Sequence, residues 1–324
     1  MKKIILIGLS FVAFTAISQE YNTNKFRQLK DKLATPNVYR TAAGAPGHQY
    51  YQQQADYVMD IVLDDKTQII YGEETITYTN NSPDKLEYLW LQLDQNVRAK
   101  DSYSKSISTG GISKYSIKQM MNDFDGGFKI EHVKDAKGNA LSHTINKTMM
   151  RINLATPLKS KGKYTFKIKW HYNVNDRDKV GGRSGMEYFK ENDNYLYTIA
   201  QFYPRMCVYN DVEGWQNKQF LGRGEFALAF GDYKVNITVP SDHIIGATGD
   251  LTNRKKILTS SQMKRWNEAK KSYDKPVIIV TQAEAEAAEK TKKTETKTWR
   301  FHAINVRDFA FARAQKSPPG QQII

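Results

Sequence analysis

Six histidines are spread along the chain: His48, His132, His143, His171, His243 and His302. A zinc hydrolase motif needs two histidines four apart around a glutamate, so that one helix face presents both imidazoles. No two are so spaced, and H-E-x-x-H is absent. Most of the six read as loop or solvent-face residues. The single cysteine, Cys207, excludes a Cys-cluster metal site and an internal disulfide. Gly222-Arg223-Gly224-Glu225-Phe226-Ala227 fits G-x-G-x-x-A, a pattern that binds a dinucleotide only when a strand precedes it and a helix follows. Strand-like alternation follows here from Asp232, so the glycines read as a turn. Ser102-Tyr103-Ser104-Lys105 and Ser160-Lys161-Gly162-Lys163 fit S-x-x-K, a spacing cheaply matched in a chain with 48 basic residues. Neither is assigned a nucleophile. Gly185-Met186-Glu187-Tyr188 reads as a glycine-rich loop after Val180-Gly181-Gly182, with Glu187 a solvated turn residue.

Thr198-Ile199-Ala200-Gln201-Phe202-Tyr203-Pro204-Arg205-Met206 carries more chemistry. It is apolar and aromatic, with one Gln and one Arg embedded. Buried polar groups need partners, from the fold or from a ligand. The Gln201 carbonyl can accept from an ammonium, and Arg205 can pair with a carboxylate. For Arg205 the expected partner is Asp211 or Glu213, holding the loop. For Gln201 a structural amide in a sheet is the competing role.

The elements that must position these residues are strands. Tyr57, Met59, Ile61 and Leu63 alternate with Val58, Asp60, Val62 and Asp64. Ile70, Ile76 and Tyr78 share a face, as do Leu89, Leu91 and Leu93. In Lys163–Tyr172, Tyr164, Phe166, Ile168, Trp170 and Tyr172 oppose Lys163, Thr165, Lys167, Lys169 and His171, the pattern of a half-buried antiparallel strand. Asp135-Ala136-Lys137-Gly138-Asn139 is turn chemistry. Tyr233, Val235, Ile237 and Val239 form another strand closed by Pro240, and Trp299, Phe301 and Ala303 the last. A helical excursion interrupts near 260–290. It comprises Gln262–Lys271 with Ser261 as N-cap, a short strand over Pro276–Val280, and a helix over Gln282–Lys290. The expected class is all-β, with a helical candidate at Lys25–Leu33 in an irregular arm over 19–53.

The chain has 324 residues, 40% hydrophobic and 25% charged, which excludes wholesale disorder. The 19 Tyr, 14 Phe and 5 Trp favour strands. The net charge of +14 is dispersed over strands and loops, and no nucleic-acid partner is expected. Lys2 and Lys3 precede an apolar run, Ile4 to Ile17, and Ala16-Ile17-Ser18 suits a signal peptidase. The expectation is a signal peptide over 1–18 and an exported, periplasmic or extracellular bacterial envelope protein. The run is short for a spanning helix, which needs about 20 residues, and no later stretch is apolar enough to span.

Several segments together resemble one family. They are Pro36-Asn37-Val38-Tyr39-Arg40 with Gly44-Ala45-Pro46-Gly47, Tyr71-Gly72-Glu73-Glu74-Thr75-Ile76-Thr77-Tyr78-Thr79-Asn80, and Ala200–Met206 with Gly214-Trp215. Gly231-Asp232-Tyr233-Lys234-Val235 with Thr238-Val239-Pro240, Ala247-Thr248-Gly249, Asp274-Lys275-Pro276-Val277 and Asn305–Phe311 complete the set. From about residue 36 to Lys316 the chain is similar to the N-terminal domain of aminopeptidase N-type zinc metallopeptidases. The resemblance implies a saddle-shaped, mainly antiparallel β-sheet or sandwich domain over 54–316, leaning on a thermolysin-like catalytic domain. It places the zinc ligands, the glutamate base and the G-x-M-E-N loop beyond this chain. Gly185-Met186-Glu187-Tyr188 is not that loop, since it lacks the Asn. No metal or cofactor is expected here, and zinc only in a full-length enzyme. One site contribution is implied: Gln201 helps hold the free α-amine of a peptide substrate. After Phe311 the family would continue with an aromatic-rich segment. Ser317-Pro318-Pro319-Gly320-Gln321-Gln322-Ile323-Ile324 departs from that and reads as an aberrant tail on a fragment. The rival expectation is a free-standing exported module that binds peptides or another protein.

Overall fold

Period-two alternation builds most of the molecule. The computed structural model describes residues 36–105, 117, 122–191, 193–222, 224, 227–291 and 293–314. The signal peptide, the Lys25–Leu33 helix and the 317–324 tail lie outside the described residues. The residues divide into two units, Met1–Tyr50 and Tyr51–Ile324. In the first, the Asn37 carboxamide oxygen accepts from the backbone N–H groups of Tyr39 and Arg40 at 2.8 and 2.9 Å. That local bond sets a turn.

In the second unit the strands run β1 (Gln54–Asp64), β2 (Ile69–Thr79), β3 (Leu86–Gln92), β4 (Lys129–Asp135), β5 (His143–Asn146), β6 (Met149–Leu158), β7 (Lys163–Asn173), β8 (Gly185–Phe189) and β9 (Asn194–Ile199). Then come β10 (Arg205–Met206), β11 (Tyr209–Asn210), β12 (Gly214–Trp215), β13 (Gly231–Pro240), β14 (Ile244–Ala247), β15 (Asp250–Leu251), β16 (Thr296–Val306) and β17 (Phe311–Ala314). Among the described residues the α-helices with given bounds are α1 (Arg177–Val180), α2 (Arg254–Ile257), α3 (Ser260–Ala269) and α4 (Gln282–Glu289). A seven-stranded sheet has the order β15-β16-β13-β1-β2-β7-β4. Within it β1 and β13 are parallel, and the other neighbours are antiparallel. Two four-stranded sheets, β10-β3-β6-β5 and β14-β17-β9-β8, and the β11-β12 hairpin accompany it. The all-β expectation holds.

The alternating faces fall as their spacing requires. Tyr57, Met59, Ile61 and Leu63 of β1, Phe166, Ile168, Trp170 and Tyr172 of β7, and Tyr233, Val235, Ile237 and Val239 of β13 are all buried. They share one core with Leu89 and Leu91 of β3 and Ile152 of β6. Burying each such side chain contributes about 1.5–3 kcal/mol. Gly72 in β2 is needed by this packing: a Cβ there would lie 2.3 Å from Cζ2 of Trp170, so the indole rests on bare backbone.

Three local expectations change. Pro276–Val280 is not a strand; the carbonyl of Ile279 accepts from Arg265 Nε at 2.7 Å rather than from a ladder. The N-cap of α3 is Thr259, not Ser261, because Gln262 completes a capping box with it. Gly185-Met186-Glu187-Tyr188 is strand β8 rather than a loop, paired along β9, with Glu187 bound to Arg177 at 2.6 Å. Among the described residues no helix is long and apolar enough to cross a membrane.

Candidate functional site

Gln201 sits between β9 and β10, in the short link that passes the chain from one sheet to another. Its backbone is left-handed, at φ +53°. A side chain in that region is disfavoured by about 1–2 kcal/mol, because Cβ crowds the backbone. The conformation is held from outside. Gln95 Nε2 donates to the Gln201 carbonyl at 2.9 Å, and Ser184 Oγ accepts from the Ala200 N–H at 3.1 Å. On either side Ile199, Phe202 and Tyr203 are buried, which pins the strand and the turn. The side-chain amide of Gln201 is partly exposed and makes no hydrogen bond to a described residue. Strain enforced by the surroundings thus coincides here with a side-chain amide that makes no hydrogen bond to a described residue.

Gln95 belongs to a 3-10 turn, Asp94–Arg98, that follows β3 and organises the neighbourhood. Asn96 Oδ1 accepts from Phe128 N–H at 2.8 Å, and its Nδ2 donates to the Lys147 carbonyl. Arg98 Nη1 donates to Gln95 Oε1 at 3.0 Å. Asp94 engages Arg205. The Arg205 Nε donates to Asp94 Oδ2 at 3.0 Å, its Nη1 donates to Asp308 Oδ2 at 2.7 Å, and Nη2 lies 2.9 Å from Asp94 Oδ1. So Arg205 does not pair with Asp211 or Glu213. Carboxylates from distant segments reach it first, because β10 pairs with β3 and delivers Arg205 opposite Gln92, next to Asp94. Burial opposes the charge on Arg205, but two carboxylates hold its pKa above the ordinary value.

The same carboxylate of Asp308 accepts from Tyr203 Oη at 2.7 Å, and the Tyr203 and Tyr233 hydroxyls are 3.2 Å apart. Tyr57 Oη accepts from Met206 N–H at 2.9 Å, and its ring stacks on Tyr233 at 4.7 Å. Burial pushes the Tyr57 and Tyr203 hydroxyls well up, so they act as neutral donors and acceptors. Glu74 lies on the same inner face of β2, fully buried, and neither carboxylate oxygen has a hydrogen-bond partner. Burial raises its pKa well above the ordinary range. Cys207 is buried and its thiol is pushed up, which leaves it unreactive.

Among the described residues no three His, Cys, Asp or Glu side chains are grouped to hold a metal ion. His243 departs from the solvent-face expectation: it is fully buried against Arg313. Asp94, Gln95, Ser184 and Asp308 were missed from sequence. The one signal for the first two was a polar run, Asp94-Gln95-Asn96, directly after the apolar β3 pattern.

A comparison with protein-family models finds no match, and neither does one with curated proteins. Among solved structures the chain is similar to an M1 zinc metallopeptidase from Deinococcus radiodurans, with a TM-score of 0.41 and 11% identity over 83% of this chain and 43% of that one. A variant of that protein bound to a Tyr-Ser-Ala substrate gives 0.42 and 11%, over 83% and 44%. A two-domain M1 zinc metallopeptidase variant bound to L-arginine gives 0.42 and 11%, over 81% and 42%. The chain spans less than half the length of these proteins.

Proposed function

We propose that this chain is the non-catalytic, amine-anchoring part of an exported zinc metallo-aminopeptidase, with Gln201 holding the free N-terminus of a peptide. Two things support it. The ordered motifs from residue 36 to 316 resemble that family, and Gln201 has the properties such a role needs. One observation carries the proposal: Gln201 is held at φ +53° by Gln95 and keeps its side-chain amide unbonded. An amide carbonyl aimed at an ammonium is a neutral acceptor, which suits a group that must release product. Zinc, the base and the scissile chemistry would belong to a catalytic domain docked on this one, and peptides would be the substrates. This chain by itself would hydrolyse no aminoacyl-amide.

The test compares a short peptide with a free amine against its N-acetylated form, by calorimetric titration of the chain. The free amine should bind more tightly. Gln201→Gly keeps the left-handed backbone without strain but removes the amide, and it should abolish the difference while raising stability by about 1 kcal/mol. Equal binding of the two peptides to the unaltered chain overturns the role of Gln201. Chelator-sensitive hydrolysis by the chain alone overturns the non-catalytic assignment.

A further inference from the structure

Arg98 is a cation with unspent donors. Its guanidinium carries five N–H groups, and the one hydrogen bond it makes is from Nη1 to the neutral Gln95 amide at 3.0 Å. No carboxylate of a described residue is within ion-pairing distance of it, and the nearby Asp94 is committed to Arg205. The residue is nonetheless half-buried, and desolvation pulls its pKa down. Taking an unpaired charge out of water is costly, and folds normally supply a counter-charge. Arg205, Arg177 and Arg313 each have one.

The Arg98 guanidinium lies close against bare backbone at Gly182. Gly182 has φ +97°, and a Cβ on it would sit 2.4 Å from Arg98 Nη2. The loop through Gly182 is fixed by Arg177, whose Nε donates to the Gly182 carbonyl at 3.3 Å, and by Asn175, whose Nδ2 donates to the Gly181 carbonyl at 2.9 Å. Any other residue at 182 would press on Arg98 Nη2.

We propose that Arg98 is a carboxylate-binding residue that selects peptides with an acidic side chain at or next to the N-terminus. This rests on the amine-anchoring role of Gln201. One Gln95 side chain bonds both Arg98 and the Gln201 carbonyl, at 3.0 and 2.9 Å. Two such bonds through one amide place the guanidinium within about 8 Å of Gln201. That is the reach from an α-amine to an Asp or Glu carboxylate in the first or second residue of an extended chain, at about 3.3–3.6 Å per residue. A planar fork with free N–H groups matches a carboxylate in two-point contact.

The experiment titrates the full chain with Glu-Ala-Ala-Trp, Gln-Ala-Ala-Trp and N-acetylated Glu-Ala-Ala-Trp, in 0.15 M salt set as about the physiological value. The Glu peptide should bind about tenfold more tightly than the Gln peptide, the scale of one charge-assisted contact. Arg98→Gln should erase that ratio, and Arg98→Lys should retain a smaller one. The thermal midpoint of Arg98→Gln should stay level or rise, since a half-buried charge without an ion-pair partner is removed. A fall of the midpoint in both variants, with no change of the ratio in Arg98→Lys, marks Arg98 as a structural residue and overturns the proposal. Equal affinity for the Glu and Gln peptides, with the acetylated peptide weaker, also overturns it while leaving Gln201 in place. Equal affinity for acetylated and free Glu peptides removes the amine-anchoring role of Gln201 and overturns the N-terminal placement proposed here, even if the Glu peptide still outbinds the Gln peptide. Displacement of the Glu peptide by inorganic phosphate at equal concentration would identify a general anion site and overturn the peptide assignment.

Discussion

Among the described residues two arginines are buried, and they are kept charged by different means. Arg205 is 4% exposed and is held by Asp94 and Asp308, so its charge is over-compensated and its pKa rises. Arg313 is 1% exposed and has one carboxylate, Asp65 at 3.0 Å. Its other partners are the Tyr195 carbonyl at 3.2 Å, the Tyr197 ring at 4.8 Å and His243. Burial there outweighs the partners and its pKa falls to about 10. His243 Nδ1 accepts from Arg313 Nε at 2.7 Å, so the imidazole must be neutral with its proton on Nε2. Burial and the cationic neighbours Arg313 and Lys297 bring its pKa to about 2. Beside Nε2 stand Asp65 at 3.4 Å and Asp242 at 3.5 Å. The contrast teaches that a buried cation is secured either by two anions or by one anion and a set of neutral acceptors. The second arrangement depends on an imidazole that must stay neutral, and so it is weakened as the pH falls below about 6.5.

The largest expected effect is at the doubly paired site. Arg205→Met leaves Asp94 buried without a counter-charge and should cost about 3–5 kcal/mol in urea unfolding. Arg313→Met should cost less, about 1–3 kcal/mol, because Asp65 keeps 25% of its side chain in water. A larger loss at Arg313 than at Arg205 would break the comparison.

The next effect is acid sensitivity. The pKa of His243 is lowered on folding, so its contribution is complete above the unfolded value of about 6.5. It is lost as pH falls towards the folded value of about 2. Each pH unit in that window should remove about 1.4 kcal/mol. His243→Asn, which can still accept from Arg313, should remove this part of the slope between pH 6 and pH 4. An unchanged slope in the variant would show that His243 is not kept neutral.

Glu74 sharpens the comparison as the case with no partner at all. Its pKa is raised on folding, so its contribution is complete below the unfolded value of about 4.3 and is lost as pH rises towards the folded value. Glu74→Gln should flatten the decline, by about 1.4 kcal/mol between pH 5 and pH 6. Unfolding curves with the same pH dependence in both proteins would place a counter-charge at Glu74.

Much of the scaffold is legible in the chain. The faces of β1, β7, β13 and β16 follow from alternation alone, and α3 and α4 from helical composition, though not their caps, Thr259 and Thr281. Gln201 was singled out because a Gln inside an aromatic run must find a partner. Its left-handed backbone was not legible, since it depends on Gln95, 106 positions away. Arg205 was matched to the acids nearest in sequence, whereas its partners are 111 and 103 positions distant. Glu74 was hidden within Tyr71–Asn80. Its place on the same face as Ile70 and Ile76 follows from period two, but a glutamate on a buried face contradicts hydrophobicity and was passed over.

What the sequence determined by itself is which residues share a face, because a strand's side chains alternate whatever it pairs with. What only the tertiary structure decided is which charges meet. Pairing β10 with β3 sets Arg205 beside Asp94, and the links around Gly182 and Gln201 leave Arg98 without an anion. Local spacing cannot carry that information, since Coulomb energy depends on distance in space and on burial, and both are set by the sheet order.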